Sequence, residues 1–145
     1  MNNAFAQGLI KRQEGLRLKP YSDTEGVLTI GYGRNLERGI TRDEAEYLFL
    51  MDFYMAQGDV MRLFPSWVRW PEARLSALIS MMYNLGLHRF CSFVKMIAAI
   101  EAEDWSGAAA EMLDSRWARQ VPERAGELAA MVRGEPGKSS DRITG

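Results

Sequence analysis

The sequence holds a single cysteine, Cys91, and a single histidine, His88. One cysteine excludes an intramolecular disulfide, and one of each excludes a zinc site assembled from several Cys and His ligands. A lone histidine without a serine-nucleophile motif near it also argues against Ser-His-Asp hydrolysis. Long apolar runs are missing as well. The longest candidate, Leu75 to Tyr83, is interrupted by Ser76 and Ser80 and falls short of the roughly 20 residues a spanning helix needs, so no stable membrane insertion is expected. Neither sign of charge is in excess: 18 Lys+Arg stand against 19 Asp+Glu, a formal net charge of −1. The basic surplus by which nucleic-acid binders hold phosphates is therefore absent, and no nucleic-acid partner is expected.

Two further absences bear on location and cofactors. The opening Met1-Asn2-Asn3-Ala4-Phe5-Ala6-Gln7-Gly8 has neither the basic nor the apolar region of a secretory signal, which gives a cytoplasmic expectation. Gly31-Tyr32-Gly33-Arg34-Asn35-Leu36 begins like a dinucleotide-binding loop but lacks its third glycine, and there is no Walker or His-Glu-x-x-His pattern. No cofactor and no metal are implied. What remains is a chain of 145 residues, 47% hydrophobic and 26% charged, the balance of one globular domain. Within it, Cys91 is expected as a small buried hydrophobe and His88 as a loop residue.

Periodicity divides the chain. From Asn3 to Glu14, Phe5, Leu9 and Ile10 share a helical stripe, with Asn2 or Asn3 as cap and Gly15 as stop. Between Leu16 and Ile40 the pattern becomes extended and turn-rich, and Val27-Leu28-Thr29-Ile30-Gly31-Tyr32 reads as a strand of a small antiparallel sheet. Pro20 belongs near an edge, and Gly31 and Gly33 mark a strand that bends or lets another group approach closely. Thr41-Arg42-Asp43-Glu44 is a capping box, after which apolar residues at three- and four-residue steps predict a long helix ending at Pro65. Met51, Met55 and Met61 along it read as core or flank. Leu75, Leu78, Ile79, Met82 and Leu85 predict the most apolar helix, closed by Gly86. Helices over Phe93–Glu103, Trp105–Leu113 and from Pro122 through Val132 follow, with Trp105 and Trp117 in the core and Trp67 and Trp70 packing a corner. The tail from Glu135 should be mobile.

One stretch carries polar residues where apolar alternation would otherwise rule: Glu14, Asp23, Glu25 and Thr29. A helix ending at Glu14 and a turn carrying Asp23 can offer two carboxylates to one groove. Glycoside hydrolysis uses that pairing, with one carboxyl donating a proton to the leaving oxygen and the other activating water. A carboxyl shielded from water keeps its proton while a wetter one stays ionised. The same residues also suit plain structural roles: a helix-end glutamate, a turn aspartate and a strand threonine.

Eight residues separate Glu14 from Asp23 and five separate Asp23 from Thr29, and this spacing resembles the Glu-x8-Asp/Cys-x5-Thr signature of the phage-type lysozymes, glycoside hydrolase family 24. The similarity extends through Glu14-Gly15-Leu16-Arg17-Leu18-Lys19, Asp23-Thr24-Glu25-Gly26, Thr29-Ile30-Gly31, Ile40 to Glu46, Tyr83-Asn84-Leu85-Gly86, Ser115-Arg116-Trp117 and Pro122-Glu123-Arg124-Ala125. The resemblance implies an α+β lysozyme-like fold. It gives a single catalytic domain over 1–134, with a small sheet lobe at 16–40, a linking helix at 41–64, a helical lobe from 1–15 and 65–134, and a flexible tail at 135–145. It implies that Glu14 is the general acid, Asp23 the carboxylate that positions or activates water, Thr29 the hydroxyl that helps hold that water, and Arg124 a supporting cation paired with the acid. Tyr83 and Asn84 would bind sugar, with helix-end core packing as the alternative for Tyr83; Glu25 is a lesser substrate-binding candidate beside its reading as a solvated turn residue.

Two departures from the family pattern stand out: Arg34 replaces a histidine, and the stretch from Arg34 to Ile40 is short. The implied activity is hydrolysis of the β-1,4 bond from N-acetylmuramic acid to N-acetylglucosamine in peptidoglycan by a monomeric endolysin that waits in the host cytoplasm until a holin opens the inner membrane. The rival readings are a lytic transglycosylase, a non-catalytic peptidoglycan-binding module, and the same chemistry delivered as an effector. The balanced charge implies modest salt sensitivity of binding to an anionic wall.

Overall fold

The computed structural model describes residues 2–135; residues 136–145 of the expected tail lie outside the described residues. The chain divides into two compact units, Met1–Leu48 and Phe49–Gly145. Among the described residues the architecture is α+β, with one three-stranded sheet in the first unit and most of the helices in the second.

In the first unit, α1 (Ala4–Glu14) starts where Asn2 Oδ1 accepts a hydrogen bond from the Ala4 amide at 2.9 Å. Asn2 therefore caps the helix while Asn3 makes no side-chain cap. The helix stops at Glu14, and the Gly15 amide donates back to the Lys11 carbonyl at 2.9 Å. The sheet follows as β1 (Arg17–Ser22), β2 (Leu28–Gly31) and β3 (Arg34–Asn35), antiparallel and in sequence order. Tyr21 faces Thr29 and Ser22 faces Leu28, but Arg17 faces Gly31, so the register shifts in between. Pro20 lies within that shifted stretch of an edge strand, where a residue without an N–H costs the ladder nothing.

The entry to α2 (Arg42–Leu63) is the capping box in full. Glu44 N–H donates to Thr41 Oγ1 at 3.1 Å and Thr41 N–H donates to Glu44 Oε1 at 3.0 Å, so two amides left free by the helix start are satisfied reciprocally. The second carboxylate oxygen of Glu44 meets Arg34 Nη2 at 2.7 Å, tying β3 to the helix start. The division between the units falls inside α2, between Leu48 and Phe49. Among the described residues of the first unit only Thr29 is buried.

The second unit holds the core. From Phe49 onward α2 contributes buried Ala56 and Val60. Beyond a 3-10 turn at Pro65–Arg69, α3 (Glu72–Leu85) supplies Ala77, Leu78, Ile79, Met81, Met82 and Leu85. Then come α4 (Leu87–Cys91), α5 (Val94–Glu101), α6 (Trp105–Leu113), α7 (Arg116–Gln120) and α8 (Pro122–Arg133). α8 packs on both α3 and α6, and the buried alanines of α6 and α8, Ala108, Ala109, Ala125 and Ala129, allow close helix approach. Met81, Met82, Met96 and Met112 are fully buried, flexible side chains that fill irregular gaps. Trp70 is buried against Phe64 and Trp105, with ring centroids 5.6 and 5.2 Å away, and Arg74 stacks on Trp105 at 4.1 Å while donating to the Val132 carbonyl at 2.7 Å.

Two sequence expectations are corrected. Cys91 is exposed: it ends the five-residue α4, in which Phe90 takes the inward position. His88 lies in that same helix instead of a loop. Periodicity does not mark α7; Ser115 starts it, its Oγ accepting from the Ala118 amide at 3.1 Å.

The Glu44 carboxyl is held down to about 2 from its ordinary 4.5, first by the Arg34 hydrogen bond and then by its bonds with Thr41. A carboxyl whose native value is depressed stabilises the fold above its unfolded value and loses that contribution as pH falls toward the native one. Urea unfolding of wild type should therefore weaken between pH 4.5 and about 2, and Glu44→Gln should flatten the stability profile in that window while leaving its shape above pH 5 unchanged. An unaltered acid limb in the variant would remove this role.

Candidate active site

Glu14 is the last residue of α1, placed where the chain turns through Gly15 into β1. Its carboxylate lies against the turn joining β2 to β3: a Cβ on Gly33 would stand 2.6 Å from Glu14 Oε2 and 3.1 Å from its Cδ. The same end of α1 is fixed to that turn by Lys11, whose ammonium lies 5.3 Å from the centre of the Tyr32 ring. The close approach expected at the paired glycines is thus made by Glu14 to Gly33. Glu14 is otherwise exposed, so the shielding that sequence reasoning anticipated for one of the carboxyls is confined to this wall.

Asp23 and Thr29 are joined through one intervening residue, Val27. Asp23 Oδ1 accepts the amides of Glu25 and Val27, each at 2.8 Å. The Val27 carbonyl in turn accepts the Asp23 amide at 2.9 Å and the Thr29 hydroxyl at 2.9 Å. An aspartate at the head of a tight turn takes amides two and four residues on because its short side chain reaches no further. The Oδ1 lone pairs are committed to the loop, and Oδ2 has no hydrogen bond among the described residues. Thr29 is buried on the central strand, opposite Tyr21 and Asn35. Glu25 is exposed in the turn, held by its backbone amide and not its carboxylate.

The remaining candidates lie in the second unit. Tyr83, near the end of α3, is half-exposed and not core; its ring stands 5.7 Å from that of Phe49, and it lines a groove of about 470 Å³ with Phe53, Leu75 and Ile79. Asn84 turns elsewhere. Its Oδ1 accepts from Trp117 Nε1 at 2.7 Å, which fixes the amide so that its NH2 is the end left to donate. Trp117 lines a second groove, about 610 Å³, together with Lys95, Glu111, Asp114 and Arg116. Arg124 is exposed in the first turn of α8. The sequence-predicted residues therefore fall into two sets: Glu14, Asp23, Glu25 and Thr29 in the first unit, and Tyr83, Asn84 and Arg124 in the second. Among the described residues no three His, Cys, Asp or Glu side chains are grouped to hold a metal ion, and no helix is long and apolar enough to cross a membrane.

Sequence reasoning missed Val27, whose role rests on its backbone and leaves no mark on residue type, and Trp117 as the partner of Asn84. The family model described as phage lysozyme matches residues 11–133. The chain belongs to the phage lysozyme family. The matched stretch contains all seven candidate residues. An endolysin of Acyrthosiphon pisum secondary endosymbiont phage 1 is 33% identical over 77% of this chain and 75% of its own length. "Probable T4-type lysozyme 1" of Dictyostelium discoideum is 28% identical over 86% of this chain and 91% of its own. The pre-baseplate central spike protein of Enterobacteria phage T4 is 29% identical over 86% of this chain, which spans only 27% of the spike protein's length.

The Asp23 clamp separates structure from charge. Asp23→Asn keeps an oxygen for the two amides but loses the charge that strengthens both bonds, and should cost less than Asp23→Ala, which strips both and should cost about 1–3 kcal/mol in urea unfolding. Equal stability of the two variants would show that the clamp contributes nothing.

Proposed function

We propose that the chain is an endolysin that hydrolyses the β-1,4 bond between N-acetylmuramic acid and N-acetylglucosamine in bacterial peptidoglycan, with residues 1–134 working as one catalytic domain. Lysozyme-family membership over residues 11–133 makes it a cell-wall glycoside hydrolase. The observation that carries the assignment of roles is the Val27 clamp, which holds Asp23 and Thr29 in a fixed relation while leaving Oδ2 of Asp23 free.

In this reading Glu14 gives its proton to the leaving glycosidic oxygen. Asp23 Oδ2 takes a proton from the attacking water, and Thr29 accepts a hydrogen bond from the same water. The sugar on the leaving side departs as a free hydroxyl, and the muramic acid gains a reducing end. Tyr83 offers an aromatic face to a pyranose ring, and Asn84 its free NH2 to an acetamido or hydroxyl oxygen. Glu25 keeps a lesser place among the substrate contacts, and Arg124 the supporting role that the resemblance implies. In this reading the enzyme works as a monomer. Delivery by a holin from the host cytoplasm completes the proposed lysis function.

The test is release of muropeptides from purified Gram-negative peptidoglycan, with mass analysis of the new ends. Wild type should release products ending in reducing muramic acid, and Glu14→Gln should lower kcat by about 10²- to 10⁴-fold, the usual scale of general acid catalysis. Anhydro ends would make the chain a lytic transglycosylase. Binding without release by either protein would make it a peptidoglycan-binding module.

A further inference from the structure

Gly33 stands in a turn that the proposed mechanism does not use, yet its missing side chain is the space that the Glu14 carboxylate fills. We propose that Gly33 is a positioning residue for Glu14: the bare backbone of the β2–β3 turn is a wall that restricts the rotamers of the acid and presents its carboxyl in one orientation. This rests on the reading of Glu14 as the general acid.

The geometry is specific to one of two neighbouring glycines. Gly31 and Gly33 flank Tyr32, and both have left-handed backbones, φ 69° and φ 78°. A Cβ at Gly31 would meet nothing within 4 Å, whereas one at Gly33 would stand 2.6, 3.1 and 3.6 Å from Oε2, Cδ and Cγ of Glu14. Three atoms of one side chain therefore lie along the bare face of Gly33, the carboxylate oxygen closest. A glutamate carries three rotatable bonds, and an exposed one spreads over many rotamers. A wall along its terminal atoms removes part of that spread, and Lys11 over Tyr32 holds wall and helix end together. A positioned acid needs no search when the leaving oxygen arrives, and misplacement of about 1 Å can cost roughly a hundredfold in rate.

The neighbouring glycine supplies the control. Alanine at either position meets the same left-handed strain, but only alanine at Gly33 displaces Glu14, and a carboxylate at the end of a flexible side chain can move aside without unfolding the protein. Gly33→Ala and Gly31→Ala should thus lose similar thermal stability. Gly33→Ala should lose at least about tenfold more kcat, with little difference in KM, because the acid and not the sugar contacts has moved. Equal kcat losses in the two variants, with Glu14→Gln inactive, would overturn the positioning role and leave the acid in place. Full activity of Glu14→Gln would instead overturn the acid assignment itself. A measurement on wild type needs no variant to fold: side-chain carbon relaxation should show Glu14 more ordered than Glu25 and Glu37, exposed glutamates of the same unit. Equal mobility of the three would also overturn the proposal.

Discussion

The backbone of Val27 is the interaction on which the geometry of the first unit's candidate residues depends. Its amide binds the Asp23 carboxylate, and its carbonyl takes both the Asp23 amide and the Thr29 hydroxyl. A unit with Thr29 as its only buried residue among those described has little apolar burial to hold loop geometry, and fewer than 50 residues rarely provide it. Local hydrogen bonds must do so instead. The Asp23 turn, the reciprocal capping box and the Arg34–Glu44 pair each close a short stretch of chain on itself. A charged group that accepts two amides in such a turn binds more strongly than a neutral one, so the residue with the proposed catalytic charge is also the one that orders its own loop.

The second unit solves the opposite problem. Its methionines and alanines pack a core dense enough that the functional candidates can be left on its surface. At the end of α3, Met82 and Leu85 are buried while Tyr83 and Asn84 between them are exposed. Successive helical residues point about 100° apart, and these two accordingly meet different neighbours, Tyr83 the Phe49 ring and Asn84 the Trp117 indole. The Asn84–Trp117 bond uses the indole donor and fixes which way the amide faces. It leaves the Asn84 NH2 to donate, which suits carbonyl and hydroxyl oxygens.

How much of this was legible depends on the range of the interaction. The capping box could be read directly, because four adjacent residues contain its chemistry, and α1, the small sheet and α2 followed from periodicity and from Gly15 and Pro65. The five-residue helices α4 and α7 are too short to show a period, so His88 and Cys91 were misplaced by reasoning that expected a loop and a buried thiol. The spacing of Glu14, Asp23 and Thr29 named the candidates but not what holds them. The Val27 clamp is made by backbone, which residue identity does not record, and the approach of Glu14 to Gly33 joins positions far apart in the chain. The glycine pair announced that something would come close, and only the fold says which side chain does. Arg34 is a similar case: its departure from the family histidine is visible in sequence, but its pairing with Glu44 needs β3 and the start of α2 to be neighbours.

The direction of the Thr29 hydrogen bond constrains the proposed chemistry more tightly than the residue's identity. A carbonyl can only accept, so the Thr29 hydroxyl must spend its single proton on Val27, and what it has left is lone pairs. Toward a water it acts as an acceptor, drawing one O–H of that water to itself. A hydroxyl that donated to the water would occupy a lone pair of the nucleophile. An accepting one leaves those lone pairs free for the anomeric carbon, while the water's second O–H is available to Oδ2 of Asp23. In the proposed mechanism two acceptors tied to the backbone of one residue, Val27, orient the water for attack. The same residue that closes the turn therefore sets the polarity of the proposed site.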